Sequence, residues 1–429
     1  MIVTIQPSQA CGTAAAPPSK SMAHRLLLAS ALAGEPCLVE NVDLSRDVRA
    51  TVDCLRALGA ELTETEGGIS VNGAGLLRGE GPVLLPCGAS GSTLRFLVPV
   101  VLLTGRTAVF TGDESLFARP LDVYETLCAR QGILFQKHPD RLVVQGRLKP
   151  GTFELPGNVS SQFVTGLLYA LPLLPEPSSV RLLPPVESRS YIDMTKAVLR
   201  DFSIRVMSVG DDRFHVPANQ SYRPHRTRVE GDWSNAAFLE AFNLVGGRVR
   251  VTGLNRLSSQ GDKRYPELYR ALLKGKPTIN LSDNPDLAPV LMTLAAACHG
   301  AIFTGTGRLR LKESDRGAAM AEELGKLGAQ VLVEPERIWV GDTGLHRPTE
   351  PLESHNDHRV AMALAVACSL CGGTIRGAEA VRKSWPDYFR VLQDLGVELT
   401  VETEEEPAGE TEGLPAPQTE ETKSHEPGI

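Results

Sequence analysis

The sequence predicts an α/β or α+β protein assembled from a repeated unit. Three observations carry that prediction. An amphipathic helix, a Gly or polar break and a short strand recur six times, in Val52–Leu62, Tyr124–Leu134, Met194–Val206, Leu268–Ile279, Met320–Val333 and Tyr388–Leu399. Helical and strand patterns alternate along the chain, as in layered α/β architectures. No copy is large enough to bury its own apolar face, so the copies must stack; they start roughly 70 residues apart, except for a shorter interval before Met320.

Composition supports two large units with full cores. The chain has 429 residues, and its 42% hydrophobic content with 40 Gly and 30 Pro fits a regular, turn-rich protein. No apolar run approaches the ~20 residues needed to span a bilayer. The chain opens directly on a strand pattern, Met1-Ile2-Val3-Thr4-Ile5, without a signal or Arg-rich transit segment, so the expected location is the cytoplasm. The net charge of −7 is concentrated at one end: residues 402–429 hold nine Glu and one Lys, leaving residues 1–401 at about +1. That Pro/Gly/Glu-rich tail has almost nothing to bury and is expected to be disordered. A near-neutral body without a basic stripe argues against nucleic acid. The eight cysteines are scattered, and the one close pair, Cys368 and Cys371, lacks a second pair or a nearby His. They read as buried thiols of a reducing compartment rather than a zinc site.

The candidate sites follow in chain order. Pro17-Pro18-Ser19-Lys20-Ser21 marks a corner entering an Ala/Leu-rich helix, with Ser19 and Ser21 as cap types. Lys20 and Arg25 then lie near free backbone N–H groups, where an anion is favoured; an ordinary capped helix is the alternative. Gly88-Ala89-Ser90-Gly91-Ser92-Thr93-Leu94-Arg95 is a small turn before the apolar helix Phe96–Leu103, either an anion cradle or a plain turn, and not a Walker A loop. Arg119-Pro120 ends a loop. Ser160, Ser161 and Gln162 cluster at a helix start, more donors than capping requires.

Asn219–Arg226 is a polar boundary candidate; if the chain crosses between two units there, Pro17-Pro18 is the candidate for the other crossing. Further on, Asp286 precedes an apolar helix as a cap or a site carboxylate. Lys312-Glu313-Ser314-Asp315-Arg316 interleaves both signs, which on its own reads as a solvated face. His355-Asn356-Asp357-His358-Arg359 leads into another apolar helix; its two His residues lack a third metal ligand. Lys383-Ser384-Trp385-Pro386-Asp387 closes the series. Cations repeatedly placed at element ends suit a small, highly anionic substrate pair.

Taken together these motifs resemble the EPSP synthase family of enolpyruvyl transferases. The likeness rests on Pro18-Ser19-Lys20-Ser21 with Arg25, Ser90-Gly91-Ser92-Thr93 with Arg95, Arg119-Pro120, Ser160-Ser161-Gln162, Glu230-Gly231-Asp232, Pro285-Asp286, Lys312 to Arg316, Asn356 to Arg359, and Lys383 with Pro386-Asp387. In order, they span essentially residues 1–401. The resemblance implies an inside-out α/β barrel of two lobes, each of three βαβαββ repeats. One lobe would comprise residues 1–18 plus 229–401 and the other 19–228. It further implies transfer of the enolpyruvyl group of phosphoenolpyruvate to the 5-hydroxyl of shikimate 3-phosphate, with no metal or organic cofactor and with a monomer as the expected state. Lys20, Ser21, Arg25, Ser160, Ser161, Gln162, Ser188, Asp286 and Lys312 would hold shikimate 3-phosphate. Lys20, Gly91, Arg119, Gln162, Arg316, Arg359 and Lys383 would hold phosphoenolpyruvate. Asp286, Glu313 and Lys20 would carry the proton transfers.

Two positions depart from the pattern: Ala89 stands where Asn is usual, and Arg308 where Asn is common. The competing readings are a sister transferase acting on UDP-N-acetylglucosamine and a non-catalytic anion-binding protein of the same fold. The first typically carries a Cys in the loop before Arg119-Pro120, and Asp113–Ala118 has none. The second gains nothing from two carboxylates set among the cations.

Overall fold

The computed structural model describes residues 1–402, so the acidic tail expected to be disordered lies, beyond Glu402, outside the described residues. All six repeats form a helix, a break and a strand. The second is representative: helix Asp122–Gln131 ends at Gly132, whose φ of 68° lets the chain reverse into strand Leu134–Lys137.

The strands assemble into small separate sheets of one pattern. Val83–Gly88 runs parallel to Thr107–Gly112, which pairs antiparallel with Arg141–Gln145, and this with Leu134–Lys137. Four other sheets repeat the order. In one of them the last strand of the hairpin is Ile2–Ile5, at the other end of the chain from its neighbour Leu399–Glu402. The sixth sheet is abbreviated to Cys11–Ala15 beside Arg248–Thr252. There the repeat beginning at Leu268 has no hairpin of its own. Its strand, Thr278–Asn280, opens the next sheet by pairing parallel with Ala301–Thr304. The missing hairpin is what shortens the interval before Met320.

Sheets lie outside and helices inside because of how the apolar residues are spaced. Strands such as Val83–Gly88 alternate buried and exposed positions, one face inward. The central helices Gly91–Val101, Ala288–Ala297 and His358–Cys371 are apolar nearly all round and are buried nearly all round. Two hydrophobic cores result, one drawn from Ala23 to Val229, the other from Val3–Ala10 together with Trp233–Val397. The chain passes between them twice, side by side. Ser19 N donates to Glu230 O at 2.8 Å and Asp232 N to Pro17 O at 2.8 Å, so the crossings form a short antiparallel pair.

Within the first core, helix Ser161–Ala170 lies against helix Gly91–Val101 at the closest approach glycine allows. A Cβ at Gly166 would sit 2.3 Å from the Arg95 carbonyl oxygen and 2.5 Å from Tyr124 Oη. Gly166→Ala is therefore expected to cost about 1–3 kcal/mol by overpacking. Urea unfolding measures it, and an unchanged midpoint would show that the helix pair has slack.

Candidate active site

The cleft between the cores is built from helix starts. Helix Lys20–Leu32 places Lys20 and Ser21 in its first turn, with their N–H groups free of intrahelical partners. Ser19 occupies the cap position, but its side chain makes no capping bond and its hydroxyl is buried without a partner. Helix Gly91–Val101 is capped by Ser90, whose side chain accepts from Thr93 N. The helix starts earlier than the glycine turn suggests, and Arg95 stands on it rather than in a loop. Helix Ser161–Ala170 is capped by Ser160, which accepts from Gln162 N.

These ends converge on one cavity. Lys20, Ser21, Arg25, Gly91, Arg119, Ser160, Ser161, Gln162, Ser188, Asp286, Lys312 and Glu313 all line it, and so does Arg308. Arg316, Arg359 and Lys383 do not; they sit behind its carboxylates. The sequence reading passed over Asp47 and Tyr191 and gave Arg95 no site role, though it quoted that residue in a motif; all three line the cavity too. Asp47 receives Lys20 Nζ at 2.8 Å. Tyr191 Oη donates to Asp286 Oδ2 at 2.9 Å, from a helix of the other core. Arg95 had a signal: an arginine one turn into an apolar helix must be held by something. It donates to Gln162 Oε1 and to Pro120 O, both at 2.9 Å.

The site is electrostatically dense. Arg316 is 1% exposed and bonds three carboxylates: Asp357 Oδ2 through Nε at 2.8 Å, Asp286 Oδ1 through Nη1 at 2.7 Å, and Glu313 Oε2 through Nη2 at 2.9 Å. This overturns the solvated-face reading of Lys312–Arg316. Asp286 also meets Lys312 Nζ at 3.2 Å, so its side chain serves this network and caps no helix. Burial alone pushes the Asp286 carboxyl up, but Lys312, Arg316 and Arg359 outweigh it and hold the group well below the usual carboxylate range. Glu313 is also raised by burial and brought well below its ordinary value by Arg316 and Arg119. Both are ionised.

Opposite them stands a surplus of donors. A Cβ at Gly91 would lie 2.7 Å from Nη1 of both Arg95 and Arg119, so two guanidinium groups converge over a bare Cα and a larger residue would displace them. Burial, with Arg119 alongside, pulls Arg95 down to about 9. Arg95, Arg119 and Arg308 each leave a buried Nε unpartnered there, as does Arg359 behind the carboxylates. Arg308 donates to Ser188 Oγ at 2.7 Å and faces Glu187 at 3.6 Å. Ser188 itself is held at a φ of 52°. Such a cavity suits a ligand rich in anionic oxygens. Of the two histidines, His358 turns toward Asp357 while His355 meets Glu323. Cys368 is buried in the last turns of its helix, and Cys371 is partly exposed at its end.

The EPSP synthase family model, described as 3-phosphoshikimate 1-carboxyvinyltransferase, matches residues 5–271 and 266–392. A 3-phosphoshikimate 1-carboxyvinyltransferase of Clostridium acetobutylicum is 36% identical over 418 residues, covering 92% of this chain and 97% of the relative. One from Clostridium kluyveri is 36% identical over 419 residues, covering 92% and 98%. Among solved structures, the EPSP synthase of Acinetobacter baumannii superposes with a TM-score of 0.73 at 23% identity, covering 93% of this chain and all of that one. The enolpyruvyl transferase NikO of Streptomyces tendae also scores 0.73, at 16% identity and covering 93% and 98%. Both share the inside-out, two-lobed α/β fold.

Removing Arg316 tests the network. Arg316→Met leaves the buried Asp357 and the partly buried Asp286 and Glu313 without their common partner and is expected to cost about 3–5 kcal/mol near pH 7. Asp286 and Glu313 titrate below their unfolded values, so their pairing stabilises the wild type above the ordinary carboxylate range and is lost as pH falls through the folded values. In the variant, acid protonates the uncompensated carboxylates, so the deficit shrinks toward about pH 5. Urea midpoints across pH check this; a deficit independent of pH would count against it.

Proposed function

The chain belongs to the EPSP synthase family, and from that premise we propose that its cleft carries out the family's reaction. The enzyme transfers the enolpyruvyl group of phosphoenolpyruvate to the 5-hydroxyl of shikimate 3-phosphate and releases phosphate, a step of aromatic amino-acid biosynthesis. The observation that carries this reading is the single cavity in which both cores place cations around two ionised carboxylates.

The chemistry needs both kinds of group. The 5-hydroxyl adds to C2 of the enol phosphate while C3 takes a proton, giving a tetrahedral ketal. Loss of phosphate and of a C3 proton restores the vinyl group. A base must accept the hydroxyl proton, and an acid/base must serve C3. Asp286 and Glu313 are the carboxylates we assign to these roles, with Lys20 between the ligands as an electrostatic or proton-relay group. Ser21, Arg25, Ser160, Ser161, Gln162, Ser188 and Lys312 are assigned to shikimate 3-phosphate. Gly91, Arg119, Arg316, Arg359 and Lys383 are assigned to phosphoenolpyruvate, with Gln162 and Lys20 shared between the two.

The ion pairs give these roles a physical logic. A substrate carboxylate or phosphate competes with Asp286 and Glu313 for Lys312, Arg316 and Arg119. Drawing those cations away weakens their hold on the carboxyls, whose proton affinity rises as the substrates bind. A base tuned in this way is weak alone and effective with substrate. The cations meanwhile stabilise the departing phosphate. Among the described residues no helix is long and apolar enough to cross a membrane. The reading places the enzyme in the cytoplasm as a monomer of two lobes, residues 1–18 with 229–401, and 19–228.

Phosphate release from the purified protein tests the substrate pair. Release is expected with shikimate 3-phosphate plus phosphoenolpyruvate and not with UDP-N-acetylglucosamine plus phosphoenolpyruvate; the reverse would make the sister activity correct. Asp286→Ala is expected to lower kcat by about 10²–10⁴-fold. A kcat like that of the wild type would remove Asp286 from the role of base.

A further inference from the structure

We infer that Glu323 and His355 act as positioning residues for the phosphoenolpyruvate side of the cleft. The inference rests on the assignment of Arg316, Arg359 and Lys383 to that substrate. Glu323 lies on helix Arg316–Lys326, fully buried and facing away from the cavity lining. Its Oε1 meets His355 Nε2 at 2.8 Å and accepts from Lys326 Nζ at 2.9 Å, and its Oε2 accepts from Glu353 N at 2.9 Å. One carboxylate thus ties a helix to both ends of the segment 353–355.

That segment needs holding. His355 and Asn356 are consecutive non-glycine residues with φ of 51° and 53°, a left-handed pair that persists only where surrounding contacts over-determine it. The double turn has direct consequences in the site. It delivers Asn356 O to Lys383 Nζ at 2.6 Å. It then places Asp357 both to cap helix His358–Cys371, accepting from Arg359 N at 2.8 Å, and to accept Arg316 Nε at 2.8 Å. Arg316, Arg359 and Lys383, three of the five cations assigned to phosphoenolpyruvate, are therefore set by one strained turn. Ser354 anchors its inner side, donating to Gly377 O at 2.7 Å. The Glu323–His355 contact anchors its outer side. Glu322, Glu323 and His355 are spaced as a metal group would be, but Lys326 Nζ already supplies a cation on the Glu323 oxygen that faces His355.

The test compares Glu323→Ala and Glu323→Gln with the wild type. The Gln side chain still accepts from Glu353 N and reaches His355 through its amide. Glu323→Ala is expected to raise KM for phosphoenolpyruvate about tenfold while KM for shikimate 3-phosphate stays within twofold, and Glu323→Gln to recover most of the loss. Lys326→Met, which removes a partner of the carboxylate that does not touch the turn, is expected to leave both KM values within twofold. Equal rises in both KM values, or a fall confined to kcat, would mean a general structural role and overturn the inference. So would a Lys326→Met effect as large as that of Glu323→Ala. Backbone hydrogen exchange reads the turn without substrate: Glu323→Gln is expected to keep residues 353–359 protected and Glu323→Ala to expose them selectively. Protection unchanged in Glu323→Ala would overturn the inference too. A wild type inactive with this substrate pair would instead overturn the functional reading, leaving the exchange result to decide on the turn itself.

Discussion

A single buried guanidinium, that of Arg316, reconciles three carboxylates drawn from three parts of the chain, and the cleft depends on that reconciliation. Asp286 arrives on a 3-10 turn, Glu313 on the segment just before the helix of Arg316, and Asp357 on the turn that starts helix His358–Cys371. None of the three tolerates burial alone. Joined through Nε, Nη1 and Nη2 of one side chain, with Lys312 and Arg359 also beside Asp286, they become an organised wall whose charge is nearly balanced. The fork geometry of arginine makes this arrangement possible; a lysine offers no such planar set of donors.

Around that wall the fold supplies donors economically. Each repeat buries an apolar helix and leaves the helix start at the edge of the core, where first-turn N–H groups have no partner within the helix. Where such ends from both cores face each other, a polar cavity forms without any element having been built for it alone. The close packing of Gly166 against Arg95 and the bare Cα of Gly91 show the same economy: glycine appears where a guanidinium or a second helix must come within contact distance. The abbreviated sixth sheet shows that the repeat tolerates losing its outer hairpin while the inner helix layer stays continuous.

The balance of charge also gives the proposed function a way for one cavity to serve both binding and catalysis. Carboxylates held ionised by cations repel an anionic substrate less than free ones would, and the same cations attract it. Under the proposed function, binding and proton affinity are coupled through Lys312, Arg316 and Arg119, which cannot serve the protein's carboxylates and a substrate's oxygens equally at once. The strained pair His355–Asn356 lies one step further out, where Asp357 receives Arg316 and Asn356 O receives Lys383.

The sequence by itself determined the local features. Alternating strand patterns, amphipathic helices, glycine breaks and capping residues act over a few residues, and they were legible in all six repeats, including the short interval left by the missing hairpin. The ordered motifs were legible for the same reason, since Lys20, Ser160–Gln162 or Lys312–Arg316 sit within a few residues of the helix ends that present them. What only the tertiary structure decided depends on contacts distant in sequence: Ile2–Ile5 beside Leu399–Glu402, Tyr191 on Asp286, Asp47 on Lys20. Arg316 read as a solvated charge because nothing within its own helix reveals that Asp286 and Asp357 will fold over it. Burial is a property of the assembled cores, and a charged residue's neighbours along the chain carry no record of which distant carboxylate will neutralise it.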